Sequence, residues 1–202
     1  MFNLVKENPE YTLFDYPAIR TNNEEFCRYA LVAKKRLKFV YNKASTTWLY
    51  RYYNFASLVV GSIEYHNFFR DLNELIKSHC KTNQRLWYQC WFNYHKPNEV
   101  LDWHTHNDCE YHGFISIDPK KTKTIFENFE INNKPGLMCI SKPQKHKVVV
   151  LEPFQGYRIT VAFDILTEEN VKESIKKNGE IDMNLKLLNL EQTYLCHFHL
   201  MA

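Results

Sequence analysis

The sequence of 202 residues contains only five glycines, and they form no cluster. Phosphate-binding loops of the Walker and dinucleotide types need closely spaced glycines, because the backbone must approach the phosphates without a Cβ in the way. The sequence therefore does not favour nucleotide binding of these kinds. Aromatic residues are abundant instead, with 14 Phe, 13 Tyr and 4 Trp, which indicates a core built on broad aromatic packing.

Paired cysteines and long apolar runs are also lacking. The six cysteines include no C-x-x-C pair, and we expect no signal peptide. We therefore expect reduced thiols in a cytoplasmic protein, or in the host cytoplasm if the protein is viral. No apolar run approaches the roughly 20 residues that a membrane-spanning helix needs, so we expect a soluble protein without a membrane partner.

The chain has little excess charge of either sign. Its net charge is +3, and only residues 34–36 and 120–121 form short basic runs, which are typical of a solvated surface rather than a nucleic-acid interface. Hydrophobic residues make up 45% and charged residues 24%, as expected of a globular protein. A chain of this length suits one well-buried core and is short for two, so we expect a single domain over residues 1–202.

The hydrophobic pattern changes near Lys81. Before it, apolar residues recur at helical spacing from Thr21 and again over about 63–80, which predicts helices in an N-terminal support of residues 1–82. After it, short segments rich in β-branched and aromatic residues predict six strands, at 86–94, 111–117, 124–129, 137–141, 147–151 and 157–166. A C-terminal extension over 167–202 is predicted to contain a polar helix and one more strand.

Six short strands within about 80 residues favour an antiparallel sandwich or barrel. The fold predicted from these patterns is mainly β with flanking helices, and its β-core occupies residues 83–166.

Histidines are concentrated at one place in this predicted core, since four of the nine lie within residues 95–112. In an extended chain, side chains at i and i+2 point the same way, so His104 and His106 project to one side and Asp108 can join them. Two such side chains can chelate one divalent metal ion. His146, which follows a predicted strand, would complete one face of an octahedron and leave three positions open, as a non-haem Fe(II) oxygenase needs.

The sequence around these histidines resembles a known family. Residues 88–104 read YQCWFNYHKPNEVLDWH, similar to the Asp-Trp-His approach to the first iron ligand in prolyl-hydroxylase-like 2-oxoglutarate/Fe(II) oxygenases. The later segments 104–117, 136–146 and 157–165 resemble the His-x-His, Gly … Phe-Pro … His and Arg-Ile-Ser-Ile-Ser-Phe-Asn motifs of small oxygenases from phage and marine bacterial genomes. The resemblance covers about 80 residues in the right order.

This resemblance implies a double-stranded β-helix core, which is a cupin-like jelly roll. It implies an Fe(II)-dependent oxygenase, expected to be a hydroxylase, that uses 2-oxoglutarate and O2 on a small-molecule or peptide substrate. His146 would be the distal iron ligand, and Arg158 would pair with the far carboxylate of 2-oxoglutarate, for which a planar, always charged guanidinium is suited. Thr160, on the same strand face as Arg158, would add a hydroxyl donor, and Tyr94 would also reach the cosubstrate.

The sequence departs from the family at one ligand. The usual first motif is His-x-Asp, whereas His106 follows His104 here. One possible ligand set is His104, His106 and His146, and the other contains His106 with Asp108 and His146. Alignment on Asp-Trp-His favours the first set, and charge neutralisation of Fe(II) favours the second. In the first set Asp108 could instead fix the tautomer of an imidazole.

Two other functions fit parts of the pattern. A cupin-type dioxygenase with a three-histidine iron site, oxidising a thiol without 2-oxoglutarate, fits the spacing His104-x-His106-x-x-x-Glu110. The protein could also be a jelly-roll binding module without enzymatic activity, in which the histidines have no functional role.

Overall fold

A computed structural model gives the fold of this protein and describes residues 1–37, 61–81, 85–99, 101–106, 109–178 and 188–189. The helices in these ranges are α1 (Pro17–Thr21), α2 (Asn23–Leu37), α3 (Ile63–Cys80) and α4 (Glu168–Asn178). The strands are β1 (Asn3–Glu7), β2 (Tyr11–Asp15), β3 (Leu86–His95), β4 (Tyr111–Asp118), β5 (Thr122–Phe126), β6 (Glu130–Asn132), β7 (Leu137–Ser141), β8 (His146–Val150), β9 (Arg158–Thr167) and β10 (Leu188–Asn189). None of the described helices is long and apolar enough to cross a membrane.

The strands form two sheets that the chain visits in turn. The larger sheet has the order β1-β2-β7-β4-β9-β3-β10, and the smaller has the order β6-β5-β8. Between β3 and β9, strands β3, β4, β7 and β9 lie in the larger sheet, while β5, β6 and β8 lie in the smaller. This alternation of antiparallel strands is a double-stranded β-helix, so the predicted fold class is confirmed.

The segment between β3 and β4 completes the alternation by adding to the edge of β8. His104 and His146 exchange both backbone hydrogen bonds, with N–O distances of 3.0 and 2.9 Å, and Val148 N donates to Leu101 O at 3.0 Å. The segment therefore acts as a short fourth strand of the smaller sheet, although it is irregular on either side of the bridge.

Strand β9 is buried on both faces of the larger sheet. Four apolar side chains face the helices and join the main core cluster: Ile159, Val161, Phe163 and Ile165. Four alternate residues face the smaller sheet: Arg158, Thr160, Ala162 and Asp164. A strand that is covered on both faces is usually apolar along its whole length. The three polar residues on the inner face of β9 therefore indicate a site that needs polar side chains.

Helix α3 covers the outer face of the larger sheet. It begins after Ser62, whose hydroxyl accepts a hydrogen bond from Tyr65 N at 3.3 Å, and it is followed by Lys81 in the left-handed conformation at φ 45°. Its buried face includes Phe68 and Leu72. The helix predicted over about 63–80 is therefore confirmed.

The N-terminal support differs from the prediction because it is not only helical. Strands β1 and β2 pair with each other, and β2 pairs with β7, so residues 3–15 extend the larger sheet. Pro9 lies between the two strands and Pro17 opens α1, so neither proline interrupts a ladder of hydrogen bonds. Of the predicted C-terminal strand, only β10 lies in the described residues, where it pairs with β3. The predicted continuation of the first helix beyond 37 lies outside them.

Gly113 allows β4 to pack under a ring of the core. A Cβ at this position would lie 2.3 Å from Phe163 Cζ and 3.0 Å from the carbonyl oxygen of Cys139. Gly113→Ala is expected to lower the free energy of unfolding by about 1–3 kcal/mol, because the buried ring must shift. Urea unfolding followed by circular dichroism measures this. Gly61→Ala is the control, since its nearest contact would be 3.5 Å from Tyr29. Equal urea midpoints for the wild type and Gly113→Ala would contradict the packing described here.

Candidate metal centre

Three histidines converge in the space between the two sheets. One nitrogen of each of His104, His106 and His146 lies within 4.8 Å of the nitrogens of the other two. The backbone bridge sets the rings of His104 and His146 side by side, with centroids 4.2 Å apart. His106 lies two residues further on, and its ring is 5.4 Å from that of His104 and 5.6 Å from that of His146. The structure thus brings together the first of the two ligand sets that the sequence left open.

Backbone carbonyls fix the tautomer of two of these rings. His104 Nδ1 lies 2.8 Å from Asp102 O, and His146 Nδ1 lies 3.0 Å from Gln144 O. A carbonyl oxygen only accepts hydrogen bonds, so Nδ1 carries the proton in both rings and Nε2 keeps its lone pair. Nε2 is therefore the atom that each ring offers to a metal ion.

His112 and Asp164 extend the cluster on the larger sheet. Asp164 Oδ1 lies 3.0 Å from His106 Nδ1 and 2.9 Å from His112 Nδ1. The rings of His106 and His112 stack with centroids 3.8 Å apart. These residues also form a second possible ligand group, of two imidazoles and one carboxylate, which shares His106 with the first.

The electrostatics of the cluster favour neutral imidazoles beside an ionised carboxylate. Burial, together with repulsion from His112, lowers the pKa of His146 to about 2, and burial lowers that of His112 to about 4. Burial also lowers the pKa of His104. Burial alone would raise the pKa of Asp164, but hydrogen bonds from His106 and His112 outweigh it and hold that pKa below its usual range. Neutral imidazoles are the form that binds metal ions.

The histidines line a cavity of about 400 Å³ between the sheets. Phe114 and Val148 contribute to its apolar wall. Asn93 and Thr160 lie opposite each other on β3 and β9, and Asn93 Nδ2 donates to Thr160 Oγ1 at 3.3 Å. A neighbouring cavity of about 320 Å³ also has Val148 and Arg158 in its wall. Arg158 therefore lines both cavities.

Arg158 carries a buried positive charge in this cavity. Its side chain belongs to a residue only 3% exposed, and its Nη1 donates to His95 Nδ1 at 3.3 Å. In the described part of the chain, Arg158 Nε has no hydrogen-bond partner and the guanidinium forms no ion pair with a carboxylate. Burial lowers the pKa of Arg158 to about 10, which still leaves it charged at neutral pH. Burial and the nearby Arg158 lower the pKa of His95 to about 4, so His95 does not add a charge.

One predicted site residue, Tyr94, lies outside the cavity. Tyr94 points to the opposite face of β3 from Asn93, and its hydroxyl donates to Ala30 O at 2.7 Å within the core. The prediction that Tyr94 reaches a cosubstrate is therefore wrong, because neighbouring residues of a strand face opposite sides. Asp108 lies outside the described residues. Glu110, the acidic residue of the cupin-type spacing, pairs with Lys142 away from the cavity.

The sequence interpretation left out His112 and Asp164 as site residues. A usable signal was present in both strands. Asp164 is an even number of positions from Arg158 and Thr160 along β9, so the three side chains share one face of the strand. His112 is a polar residue at the start of the apolar strand β4. A polar side chain on the inner face of a buried strand requires a hydrogen-bond partner. This requirement makes Asp164 and His112 candidates for the site from the sequence alone.

Among the comparisons with known proteins, only solved structures match this chain. No model of a protein family matches the sequence, and no curated protein matches it. Solved structures that match include HygX from Streptomyces hygroscopicus with iron bound, with a TM-score of 0.49 and 10% identity over 79% of this chain and 83% of that one. A 2OG-Fe(II) oxygenase family oxidoreductase from Burkholderia pseudomallei has a TM-score of 0.40 and 12% identity over 51% of this chain.

A cupin domain from Bordetella pertussis also matches, with a TM-score of 0.30 and 15% identity over 42% of this chain and 84% of that one. For the Burkholderia oxidoreductase, this chain covers 58% of the length of that structure. Two of these three structures are described as a member of the 2OG-Fe(II) oxygenase family and as a cupin domain. The geometry of the site described above does not depend on these matches.

Removing any of the three converging imidazoles is expected to weaken metal binding. His104→Ala, His106→Ala and His146→Ala each delete one of three lone pairs, so each should lower Mn(II) affinity by more than the 10–100-fold typical of losing a group that only supports a ligand. Calorimetric titration measures this. His79→Ala is the matched control, because His79 packs against Phe14 and Tyr111 outside the cavity. Titrations unchanged from wild type in all three variants would show that the metal binds elsewhere.

Tyr94→Phe tests the corrected position of this side chain. The variant loses the hydrogen bond to Ala30 O, which should lower the free energy of unfolding by about 1 kcal/mol. It should leave the affinities for Mn(II) and 2-oxoglutarate at their wild-type values, because the hydroxyl lies on the far side of the sheet. A tenfold weaker affinity for 2-oxoglutarate, measured in the same calorimeter, would restore Tyr94 to the site.

Proposed function

We propose that this protein is a non-haem Fe(II)- and 2-oxoglutarate-dependent oxygenase. His104, His106 and His146 hold the iron, and Arg158 holds the distal carboxylate of the cosubstrate. One observation carries the proposal: a buried guanidinium without a carboxylate partner among the described residues shares a cavity with three converging imidazoles. A buried charge without a partner costs several kcal/mol, so this cavity suits an anion next to a metal ion.

The donor set fits iron. Neutral imidazole nitrogens suit Fe, Zn, Cu and Ni, and three ligands on one face of an octahedron leave positions for a chelating cosubstrate and dioxygen. When bound, these groups supply the oxidation: 2-oxoglutarate, O2 and R–H give succinate, CO2 and R–OH. The chain itself positions the reactants and excludes water.

The charges of the site balance when iron and 2-oxoglutarate bind together. In the described part of the chain, the ionised side chains on the inner face of β9 are Arg158 and Asp164, whose charges cancel. Fe(II) adds two positive charges and 2-oxoglutarate adds two negative ones. The filled site is then neutral overall, which matters because net charge in a buried site is costly. This balance favours a dianionic cosubstrate.

The polar residues next to Arg158 have defined tasks. The guanidinium offers two parallel N–H donors, which match the geometry of a carboxylate. Thr160 Oγ1 accepts a hydrogen bond from Asn93 at 3.3 Å, so its own proton is free to point towards an anion. Phe114 and Val148 line the remaining wall and keep it dry. The substrate, a small molecule or a peptide side chain, would enter where the cavity opens.

A cupin-type thiol dioxygenase is the second candidate. The observation that favours it is a ligand set of three imidazoles with no carboxylate among them. Such an enzyme would convert R–SH and O2 to R–SO2H without consuming 2-oxoglutarate. Oxygen uptake that depends on a small thiol and ignores 2-oxoglutarate would favour this candidate. A non-enzymatic binding module would bind neither Fe(II) nor Mn(II).

Arg158 gives the proposed function its sharpest test. Arg158→Gln is expected to weaken 2-oxoglutarate binding about 100-fold or more, since truncating one member of a buried charge pair costs about 2–5 kcal/mol. Arg158→Lys should fall between, because it keeps the charge and loses the fork. Anaerobic titration of the Mn(II)-loaded protein with 2-oxoglutarate measures both. Arg70→Gln is the control, because Arg70 pairs with Asp71 away from the cavity.

Turnover is measured on the iron-loaded wild type as release of CO2 from C1 of 2-oxoglutarate with formation of succinate. Uncoupled turnover needs no knowledge of the substrate. Iron-loaded protein that neither binds 2-oxoglutarate nor releases CO2 with a screened panel of substrates would refute the proposed function.

A further inference from the structure

We propose that Asp164 and His112 form a positioning unit for the metal ligand His106. In this unit the Asp164 carboxylate also supplies, from beyond the imidazole, the negative charge that a carboxylate ligand would bring. The proposal deepens the proposed function and rests on its metal centre.

His106 needs a support that the other two ligands do not. His146 is the first residue of β8, and His104 is tied to it by two backbone hydrogen bonds. His106 lies in the irregular segment before β4, outside any strand. Its Nδ1 instead binds the carboxylate of Asp164, which lies on the central strand β9. Strand β9 thus holds the side chain of His106 through Asp164, whereas the backbone of His106 belongs to no strand.

The carboxylate bonds two imidazoles at once. Asp164 Oδ1 lies within 3.0 Å of both Nδ1 atoms, and Asp164 Oδ2 lies 3.4 Å from His106 Nδ1. Because a carboxylate only accepts, both rings carry their proton on Nδ1 and present the Nε2 lone pair. The carboxylate therefore selects the tautomer in which His106 can bind a metal ion.

His112 fixes the plane of the His106 ring. His112 and Asp164 are direct partners across β4 and β9, so the sheet sets their spacing. The His112 ring stacks on the His106 ring at 3.8 Å with an angle of 17° between planes. Trp91 packs against His106 at 5.7 Å and 23°. A hydrogen bond at the ring edge and stacking on the ring face together restrict its rotation.

The Asp164 carboxylate forms no ion pair with a lysine or arginine of the described residues. Asp164 is 7% exposed, and in the described part of the chain its ion-pair contacts are with His106 and His112 alone. A buried carboxylate next to neutral rings is costly. A cation bound to His106 Nε2, on the far side of the ring, would offset this cost. The Asp164 carboxylate would then contact the His106 imidazole, and the imidazole would contact the metal ion.

Asp164→Asn separates the proposed role from simple packing. The amide has the shape of the carboxylate but offers one acceptor oxygen and one donor nitrogen. Its oxygen can still accept from both Nδ1–H groups in the position of Oδ1, so the change mainly removes the charge. Its N–H2 group takes the place of Oδ2, which lies 3.4 Å from His106 Nδ1, and a donor there opposes the Nδ1–H tautomer of His106. We expect Co(II) affinity to fall about 10–100-fold, measured by calorimetry on the full chain.

Proton NMR of the Co(II)-loaded protein provides a readout that folding alone does not move. Each ligand imidazole that binds through Nε2 should give one exchangeable, strongly shifted Nδ1–H signal, so the wild type should show three. In Asp164→Asn the signal of His106 should move or vanish, while those of His104 and His146 remain. Asp71→Asn is the control, because it also removes a buried carboxylate, one that accepts from Tyr16 outside the cavity at 3.1 Å.

His112→Phe is the second variant, and it keeps the proposal testable if Asp164→Asn fails to fold. It retains a stacking ring and loses the bond to Asp164. We expect it to keep three shifted signals, with that of His106 displaced, and to lose less affinity than Asp164→Asn.

Three results would overturn the inference in distinguishable ways. A wild type that binds no Co(II) would remove the metal centre and the proposed function with it. Wild-type affinity and spectrum in Asp164→Asn or in His112→Phe would overturn the positioning unit and leave the metal centre standing. Binding that survives His104→Ala and is lost in Asp164→Asn would place the metal on Asp164 itself, against this inference.

Discussion

Two backbone hydrogen bonds between His104 and His146 fix the pair of imidazoles around which the rest of the site is arranged. They make the two residues direct partners in an antiparallel pair, and directly opposed residues of such a pair project to the same face of the sheet. The rings therefore meet inside the barrel at 4.2 Å, although 42 residues separate them in the sequence. The bridge also directs the chain towards His106. Without it, residues 101–106 would be a loop, and the histidines would share no common face.

The charged residues on the inner face of β9 make the electrostatic potential differ between the two ends of the strand. Arg158 and Asp164 stand six positions apart on one strand, which corresponds to roughly 20 Å of extended chain. The positive charge lies at one end of the row and the negative charge at the other. A cation is therefore favoured at the histidine end near Asp164, and an anion is favoured near Arg158. A metal ion with a chelating dianion fits this polarity, because the dianion reaches from the cation towards the guanidinium.

The sequence predicts those elements whose pattern lies within their own residues. Helix α3 has apolar residues at helical spacing and a serine cap, and the strands β3, β4, β7 and β9 are apolar enough to be recognised within a residue or two. Strands β1 and β2 were missed because their pattern is weak and becomes a sheet only by pairing with β7. The spacing of His104 and His106 predicted a shared direction, whereas the bond from Asp164 to His112 is a contact across strands that no local pattern contains. Tyr94 was misplaced by one position, which in a strand means the opposite face.

Asp164 also bears on how three imidazoles without a carboxylate could serve in the proposed metal centre. A carboxylate ligand contributes one donor atom and one negative charge, and these two contributions need not come from the same side chain. Here a third imidazole offers the donor atom, and a carboxylate hydrogen-bonded behind it offers the charge. A hydrogen bond from Nδ1 to a carboxylate makes the imidazole a stronger donor at Nε2. In the proposed metal centre, a neutral imidazole ligand and the ionised Asp164 behind it would together carry the charge of one carboxylate ligand, so the proposed charge balance with Arg158 and a bound dianion would hold. What changes is the distance of the charge from the metal ion, and with it the strength of the field along the remaining open positions.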